Sequence, residues 1–245
     1  MMGGMTRKIR CGGKPMTAIV LAGGRGRRMK ADKASLDIGG KTLLKHVLAQ
    51  IEPYFDEILV SVSPGQAEAI TRRAGEGTRR KPKPGAPAPS CADRVRYVED
   101  ETPGLGPIGG LLAGLKAARN EACAVVACDI PEIDLSLLRS LARAAGDAEI
   151  AVAVDPAGHH EPLFAVYRRS IVPAIESSLR SGERSLLPLY KVCRTAVVPL
   201  DGPGRVRNLN TREDYVAYLR SIEVSGRRGR RAHRKGSAGR SGRPR

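Results

Sequence analysis

A glycine-rich loop early in the chain has the composition of a phosphate-binding site. It reads Leu21-Ala22-Gly23-Gly24-Arg25-Gly26-Arg27-Arg28-Met29 and follows a short apolar run. Its glycines let the backbone turn sharply and present N–H groups to an anion without obstruction by a Cβ atom. Its arginines, together with Lys33 just beyond, supply charge-assisted hydrogen bonds to phosphate oxygens. The loop therefore predicts a site for the phosphates of a nucleotide.

This loop matches neither of the two common glycine fingerprints. It lacks the Gly-Lys-Ser/Thr ending of the P-loop, and Met29 stands where GxGxxG would have its third glycine after Gly24 and Gly26. A turn between a strand and a helix often needs glycine for its own conformation. Taken alone, the cluster is thus consistent with either a phosphate site or a plain turn.

Two aspartates follow strand-like apolar runs further along the chain. Asp100 comes after Val95-Arg96-Tyr97-Val98, and Asp129 comes after Ala124-Val125-Val126-Ala127-Cys128. A carboxylate at such a point can hold a Mg²⁺ ion that bridges nucleotide phosphates. The structural alternatives are a solvated acidic edge for Asp100 and the start of a turn for Asp129.

Three other polar residues could be either functional or structural, and a pair of histidines is not expected to bind a metal. Lys33 is either a phosphate ligand or a surface lysine, and Asn208 and Asn210 are either substrate contacts or turn formers. His159 and His160 resemble a metal-binding pair only superficially. They are adjacent in a glycine-containing loop, where neighbouring side chains diverge, so we expect no metal site there.

The elements that must position these residues alternate between strands and helices. Strands are predicted over 17–22, 57–62, 95–98, 124–128, 150–154, 163–167 and 196–200, and helices over 42–54, 135–145, 171–181 and 212–222, with another after 104–110. Thr42 is the expected cap of the first helix. The alternation predicts a three-layer, Rossmann-like α/β fold with a mainly parallel sheet. Ligands of such sheets bind beyond the carboxyl ends of the strands, where Asp100 and Asp129 lie.

The strongly basic composition is confined to three segments. The chain of 245 residues carries a formal net charge of +17, and the segments 1–16, 71–94 and 224–245 contribute +4, +5 and +9 to it, which leaves −1 for the remainder. We expect a disordered N-terminal segment over 1–16, a single domain over 17–222 with a flexible insertion at 71–93, and a disordered tail over 223–245. Binding of nucleic acid through this tail is an alternative, non-enzymatic function.

The remaining composition excludes several classes of protein. No run of about 18 apolar residues exists, so no membrane span is expected, and we expect a cytoplasmic location. The five cysteines form no CxxC pair, which argues against a zinc site or a disulfide framework. Aromatic residues make up 3% of the chain, too few for a base-stacking platform.

An ordered set of short motifs closely resembles the molybdenum cofactor guanylyltransferases. The first is LAGGRGRRMKADKASLDIGGKTLLKHV, with the loop, an Arg-Met pair and a following Asp-Lys. The others are Val98-Glu99-Asp100, Gly106-Pro107-Ile108-Gly109-Gly110, Cys128-Asp129-Ile130-Pro131, Glu161-Pro162-Leu163, Gly182-Glu183-Arg184 and Asn208-Leu209-Asn210-Thr211. The resemblance covers about residues 17–222 apart from the insertion, and it implies a Rossmann-like nucleotidyltransferase fold.

The resemblance implies a reaction and roles for single residues. The terminal phosphate of molybdenum-bound molybdopterin would attack the α-phosphorus of GTP and expel pyrophosphate with the help of Mg²⁺. Contacts to the nucleotide are implied for Leu21, Ala22, Gly23, Gly24, Lys33, Ser61, Asp100 and Asp129, with Asp129 also holding the metal; Ser61 stands where the family often has Asn. Asn208 and Asn210 would contact the acceptor substrate.

Such a reaction needs little from the protein beyond alignment and neutralisation of charge. Lys33 and Arg28 would offset the charge of the departing pyrophosphate, so with Asp129 they are the expected catalytic residues. The expected partners are GTP, a molybdopterin-type cofactor, and other cofactor-biosynthesis proteins or apo-molybdoenzymes. Transfer from GTP or CTP to a cobinamide phosphate or a sugar phosphate remains an alternative.

Overall fold

The fold is a seven-stranded sheet between two layers of helices, seen in a computed structural model that describes residues 7–23, 33–68, 94–102, 104–200 and 205–222. In chain order the elements are β1 (Arg10–Cys11), β2 (Lys14–Pro15), β3 (Thr17–Leu21), α1 (Leu43–Ile51), β4 (Glu57–Val62), β5 (Val95–Glu99), α2 (Pro107–Ala117), β6 (Ala122–Ala127), α3 (Leu135–Ala144), β7 (Ile150–Val154), β8 (His160–Arg168), α4 (Val172–Arg180), α5 (Leu189–Val192), β9 (Thr195–Pro199) and α6 (212–222). Single 3-10 turns occur at Lys33–Ser35, Glu52–Tyr54 and Arg169–Ile171.

The strand order of the sheet is β5-β4-β3-β6-β8-β7-β9. All strands share one direction except β8, which runs antiparallel to both of its neighbours. The predicted three-layer α/β fold with a mainly parallel sheet is therefore confirmed. The central strands are almost continuously apolar because helices cover both of their faces.

Alternate residues of the strands pack into two separate cores. In β3, Ala18 and Val20 face the core that is covered by α1, α3 and α6, whereas Ile19 and Leu21 face the core under α2 and α4. This split follows from the two-residue period of a strand. The expected cap of α1 is confirmed, since Thr42 Oγ1 accepts a hydrogen bond from Lys45 N at 3.3 Å.

The expectation of disorder over 1–16 is wrong for residues 7–16. β1 and β2 form a two-stranded antiparallel hairpin, β1 packs against α3, and Ile9, Cys11 and Met16 are buried in the core that α1, α3 and α6 cover. Lys8 Nζ lies 2.8 Å from Asp56 Oδ1. The sequence did not predict this buried hairpin, because basic residues dominate the segment and strands of two residues show no hydrophobic periodicity. The insertion at 71–93 and the tail at 223–245 lie outside the described residues.

None of the helices in the described ranges has both the length and the apolar character that crossing a bilayer requires.

Candidate functional site

The carboxyl ends of four parallel strands form one edge on which the predicted site residues lie. Val98, Ser61, Leu21 and Ala127 are paired in a row across β5, β4, β3 and β6. Backbone hydrogen bonds carry this register past the strand ends: Asp100 N donates to Val62 O at 2.9 Å, and Cys128 N donates to Leu21 O at 3.0 Å. The residues that leave the sheet here are thus held in place by the ladder itself.

A cavity of about 800 Å³ opens at this edge above β3, β4 and β5. Its lining consists of Leu21, Gly23, Ser61, Val62, Ser63, Pro64, Gly65, Gln66, Asp100, Gly104, Gly106, Pro107 and Gly110. The structure therefore brings together four of the predicted nucleotide contacts, namely Leu21, Gly23, Ser61 and Asp100. A cavity of this size is in the range that accommodates a small organic ligand.

Ala22 lies between Leu21 and Gly23, but its backbone N–H is already engaged. It donates to Ser61 O at 2.8 Å and so ties the loop to β4. Ala22 is also buried in the core and is absent from the cavity lining, so neither its N–H nor its methyl group is available to a ligand in the cavity. Gly24 and Arg28 lie outside the described residues, as does the side chain of Lys33, whose backbone begins a 3-10 turn.

Glycines in the first turns of α2 allow this helix to approach the site closely. A Cβ atom on Gly109 would overlap the Asp100 carboxylate, with Asp100 Cγ at 2.9 Å, and one on Gly110 would lie 2.9 Å from Ser61 Oγ. Sequence reasoning quoted these glycines as part of a motif but gave them no role. Their role is steric: they leave room for the two side chains that β4 and β5 present to the cavity.

The Asp100 carboxylate is positioned by a short turn as well as by α2. Its Oδ1 accepts a hydrogen bond from Thr102 N at 3.0 Å. Together with the close approach of Gly109, this bond orients the carboxylate. Asp100 therefore occupies a defined position in the wall of the cavity, as a site residue must.

Asp129 and the two asparagines form a second group on the same edge, outside the lining of the cavity. Leu209, which is fully buried, donates its N–H to Asp129 O at 2.8 Å, so that Asn208 and Asn210 flank the Asp129 turn. Asp214 Oδ2 accepts from Asn210 N at 3.1 Å and from Thr211 N at 2.9 Å, which fixes the entry into α6. The structure thus brings Asp129 together with two predicted asparagines that lie about 80 positions further along the chain.

The order of the strands sets the distance between the two groups. β5, which delivers Asp100, and β6, which delivers Asp129, are separated by β4 and β3. With strands about 4.8 Å apart, the two aspartates are roughly 14 Å from each other across the sheet. One end of an extended ligand can therefore lie in the cavity while its other end reaches Asp129.

The histidine pair does not converge on a common point. His159 Nδ1 lies 3.0 Å from Asp155 Oδ2, while the ring of His160 stacks on Tyr190 with centroids 4.8 Å apart. Within the described ranges, no group of three or more His, Cys, Asp or Glu side chains could hold a metal ion. A metal at Asp129 would accordingly need further ligands from a bound substrate, as Mg²⁺ sites at phosphates commonly have.

The loop between β4 and the insertion contributes lining residues that sequence reasoning missed. Ser63, Pro64, Gly65 and Gln66 border the cavity. Their position in the sequence could have predicted this role, because they directly follow the strand that ends next to the glycine loop.

Comparisons with known proteins agree with this geometry. The MobA-like NTP transferase domain matches residues 18–195. A molybdenum cofactor guanylyltransferase from Pseudomonas fluorescens is 34% identical over 202 residues, which are 81% of this chain and 91% of that protein, and one from Vibrio parahaemolyticus is 29% identical over 82% and 93% of the two chains. The crystal structure of molybdopterin-guanine dinucleotide biosynthesis protein A from Archaeoglobus fulgidus has the same fold, with a TM-score of 0.66 and 23% identity over 86% of this chain and all of that one.

Proposed function

Because the chain belongs to the MobA-like NTP transferase family, we propose that it transfers GMP from GTP to the phosphate of molybdenum-bound molybdopterin and releases pyrophosphate. The observation that carries this proposal is the cavity at the ends of β3, β4 and β5, lined by Leu21, Gly23 and Asp100, within a chain whose relatives bear the guanylyltransferase name over most of its length. We expect the reaction to take place in the cytoplasm.

In this proposal the chain's own residues bind and align the nucleotide. The glycine loop, which begins in the cavity lining at Leu21 and Gly23, binds the phosphates, and the cavity holds the nucleoside beside Asp100 and Ser61. The positive charge of Lys33 and Arg28 offsets the charge that develops on the departing pyrophosphate. The attacking phosphate of the acceptor is already ionised at neutral pH, so no general base is required, and alignment contributes most of the rate enhancement.

The residues at the second group fit a nucleotide-borne Mg²⁺. Asp129 offers one carboxylate, and Mg²⁺ is usually held by one or two carboxylates together with substrate phosphates and water. A bound Mg²⁺ would polarise the phosphoryl oxygens and neutralise part of the charge in the transition state. Asn208 and Asn210, which flank the Asp129 turn, are the residues that we propose to contact the acceptor substrate.

The proposal is tested by the nucleotide and the acceptor that the protein uses. The protein is incubated with GTP, CTP or ATP, Mg²⁺, and molybdenum-bound molybdopterin, a cobinamide phosphate or a sugar phosphate, and pyrophosphate and the dinucleotide product are quantified. We expect product only from GTP with the molybdopterin acceptor. Pyrophosphate release with CTP and not with GTP, or only with another acceptor, contradicts the proposal.

The metal role is tested with a matched pair of aspartate variants. Asp129→Asn should reduce Mg²⁺-dependent turnover by about a hundredfold, the usual effect of removing one preorganised electrostatic group. Asp147→Asn is the control, because Asp147 is exposed and lies beyond α3 at the opposite edge of the sheet. Equal Mg²⁺ dependence in Asp129→Asn and the wild type would remove Asp129 from this role.

A further inference from the structure

The loop that follows β4 forms one wall of the cavity, and a single carboxylate holds it to β5. This wall loop, residues 63–67, contributes its first four residues to the cavity lining, and its turn places Gly65 at a φ of 74°. Glu99 Oε1 accepts hydrogen bonds from Gly65 N at 3.1 Å and from Ala67 N at 3.3 Å. Bonds from backbone N–H groups to a carboxylate are charge-assisted and therefore stronger than bonds between neutral groups.

The register of the sheet explains why Glu99 reaches the wall loop. Glu99 is the last residue of β5 and is paired with Val62, the last residue of β4, after which the wall loop begins. The next residue, Asp100, lines the cavity and has its carboxylate against Gly109. Successive side chains of a strand point in opposite directions, so Glu99 and Asp100 serve different parts of the same site.

The wall loop also contacts the glycine loop. A Cβ atom on Gly23 would lie 2.9 Å from Ser63 N, so the two backbones are in direct contact at this point. Gln66 N donates to Ser63 O at 3.1 Å and closes the turn of the wall loop. Because closely packed segments transmit displacements, a shift at Gly65 reaches Ser63 and then the first glycine of the glycine loop.

We propose that Glu99 is a positioning residue that holds the wall loop in the shape required for nucleotide binding. This inference rests on the proposed function, because it requires the nucleotide to lie in the cavity. Glu99 acts through the loop, since it is exposed and is not among the residues that line the cavity. Without its two hydrogen bonds the wall loop is less ordered in the free protein, and ordering it on binding lowers the affinity for GTP.

The experiment compares GTP binding by the wild type, Glu99→Ala, Glu99→Gln and Glu101→Ala, in competition with a fluorescent guanine nucleotide. Glu101 is the matched control, because it is an exposed carboxylate two residues further along. We expect Glu99→Ala to weaken GTP binding about fivefold or more, the effect of losing about one net hydrogen bond. Glu99→Gln keeps an acceptor oxygen, so it and Glu101→Ala should stay within about twofold of the wild type. Turnover of Glu99→Ala at saturating GTP should also stay within about twofold, because only binding is impaired.

Amide hydrogen exchange of the nucleotide-free protein tests the hydrogen bonds themselves. The amides of Gly65 and Ala67 should exchange about tenfold faster in Glu99→Ala, while those of β4 and β5 keep their protection. Unchanged exchange at these two amides, or wild-type GTP affinity in Glu99→Ala, would overturn the inference. Equal weakening in Glu99→Gln or in Glu101→Ala would also overturn it, because the acceptor oxygen would then be irrelevant. A wild type that binds no GTP would instead refute the proposed function, and the exchange rates would still decide whether Glu99 holds the loop.

Discussion

Gly109 offers the sharpest test of how the cavity is built, because it lies in the first turn of α2 directly against the Asp100 carboxylate. In Gly109→Ala the new Cβ would lie 2.9 Å from Asp100 Cγ, inside the distance that real contacts allow. The carboxylate is the far end of a short side chain, so it should rotate away while the helix stays in place. The gain in helix propensity, up to about 1 kcal/mol, helps to offset the rearrangement.

The expected consequence is a loss of GTP affinity with little change in stability. One charge-assisted hydrogen bond contributes about 1.5–3 kcal/mol, so losing that of Asp100 should weaken GTP binding about tenfold to a hundredfold. The free energy of unfolding should stay within about 1 kcal/mol of the wild-type value. Isothermal titration calorimetry and urea unfolding measure the two quantities separately.

Gly114→Ala is the matched control on the same helix. Its Cβ would lie 2.7 Å from Ile19 Cγ2 in the core beneath the helix, away from the cavity lining, so overpacking should cost about 1–3 kcal/mol of stability. The GTP affinity of the folded Gly114→Ala variant should be unchanged.

Asp100→Ala should weaken GTP binding as Gly109→Ala does. The double variant that combines Gly109→Ala with Asp100→Ala should bind GTP no more weakly than either single variant. Wild-type affinity in Gly109→Ala, or full additivity, would refute this account of Asp100.

Three further outcomes follow from the contacts described above. Gly23→Ala should weaken GTP binding about tenfold or more, measured by competition with a fluorescent guanine nucleotide, because the new Cβ would lie 2.9 Å from the backbone N of Ser63 and would displace the loop. Unchanged GTP binding would contradict this prediction. Glu57→Gln should lower the free energy of unfolding by about 1–3 kcal/mol at neutral pH, because Thr17, Arg96 and the N–H of Arg119 all donate to this buried carboxylate. Burial acts to raise the pKa of Glu57, but these hydrogen bonds hold that pKa below the usual 4.5. The stabilisation by Glu57 is therefore complete above pH 4.5 and is lost as the pH falls through the lower pKa of the folded state. Urea unfolding at several pH values should show the stabilities of the wild type and Glu57→Gln converging in acid. Burial raises the pKa of the Cys11, Cys123 and Cys193 thiols, so iodoacetamide should label them only after unfolding, and rapid labelling of the native protein, read by mass spectrometry, would contradict their burial.

The positions of the two aspartates show how far sequence reasoning reaches. Asp100 and Asp129 each follow an apolar strand, and the parallel alternation of strands and helices places both at one edge of the sheet. Their separation by β4 and β3 cannot be read from the chain, because strand order depends on which helices pack on which face. The antiparallel direction of β8 is hidden for the same reason, since hydrophobic periodicity carries no sign of direction.

The burial of Gln66 Oε1 and of the hairpin over 10–15 could not be predicted from the sequence. Neither Gln66 nor this hairpin lies in a long periodic segment, and neither has a composition that distinguishes it from an ordinary surface loop. The burial of Ile9, whose N–H donates to Tyr54 O, arises only when distant parts of the chain close over it. Sequence patterns report the local environment of a residue, whereas such burial is a property of the assembled domain.

By itself, the sequence determined the class of fold, most of the strands and helices, and the edge of the sheet at which the start of the glycine loop, Asp100 and Asp129 lie. These features follow from periodicity, strand-ending residues and motif order, which are local and additive along the chain. Tertiary structure alone decided the division of the site into a cavity and a separate Asp129 group, the fit of Gly109 against Asp100, and the attachment of the wall loop to Glu99. These depend on ångström-scale contacts between segments far apart in the chain, and only the packing of the whole domain sets such contacts.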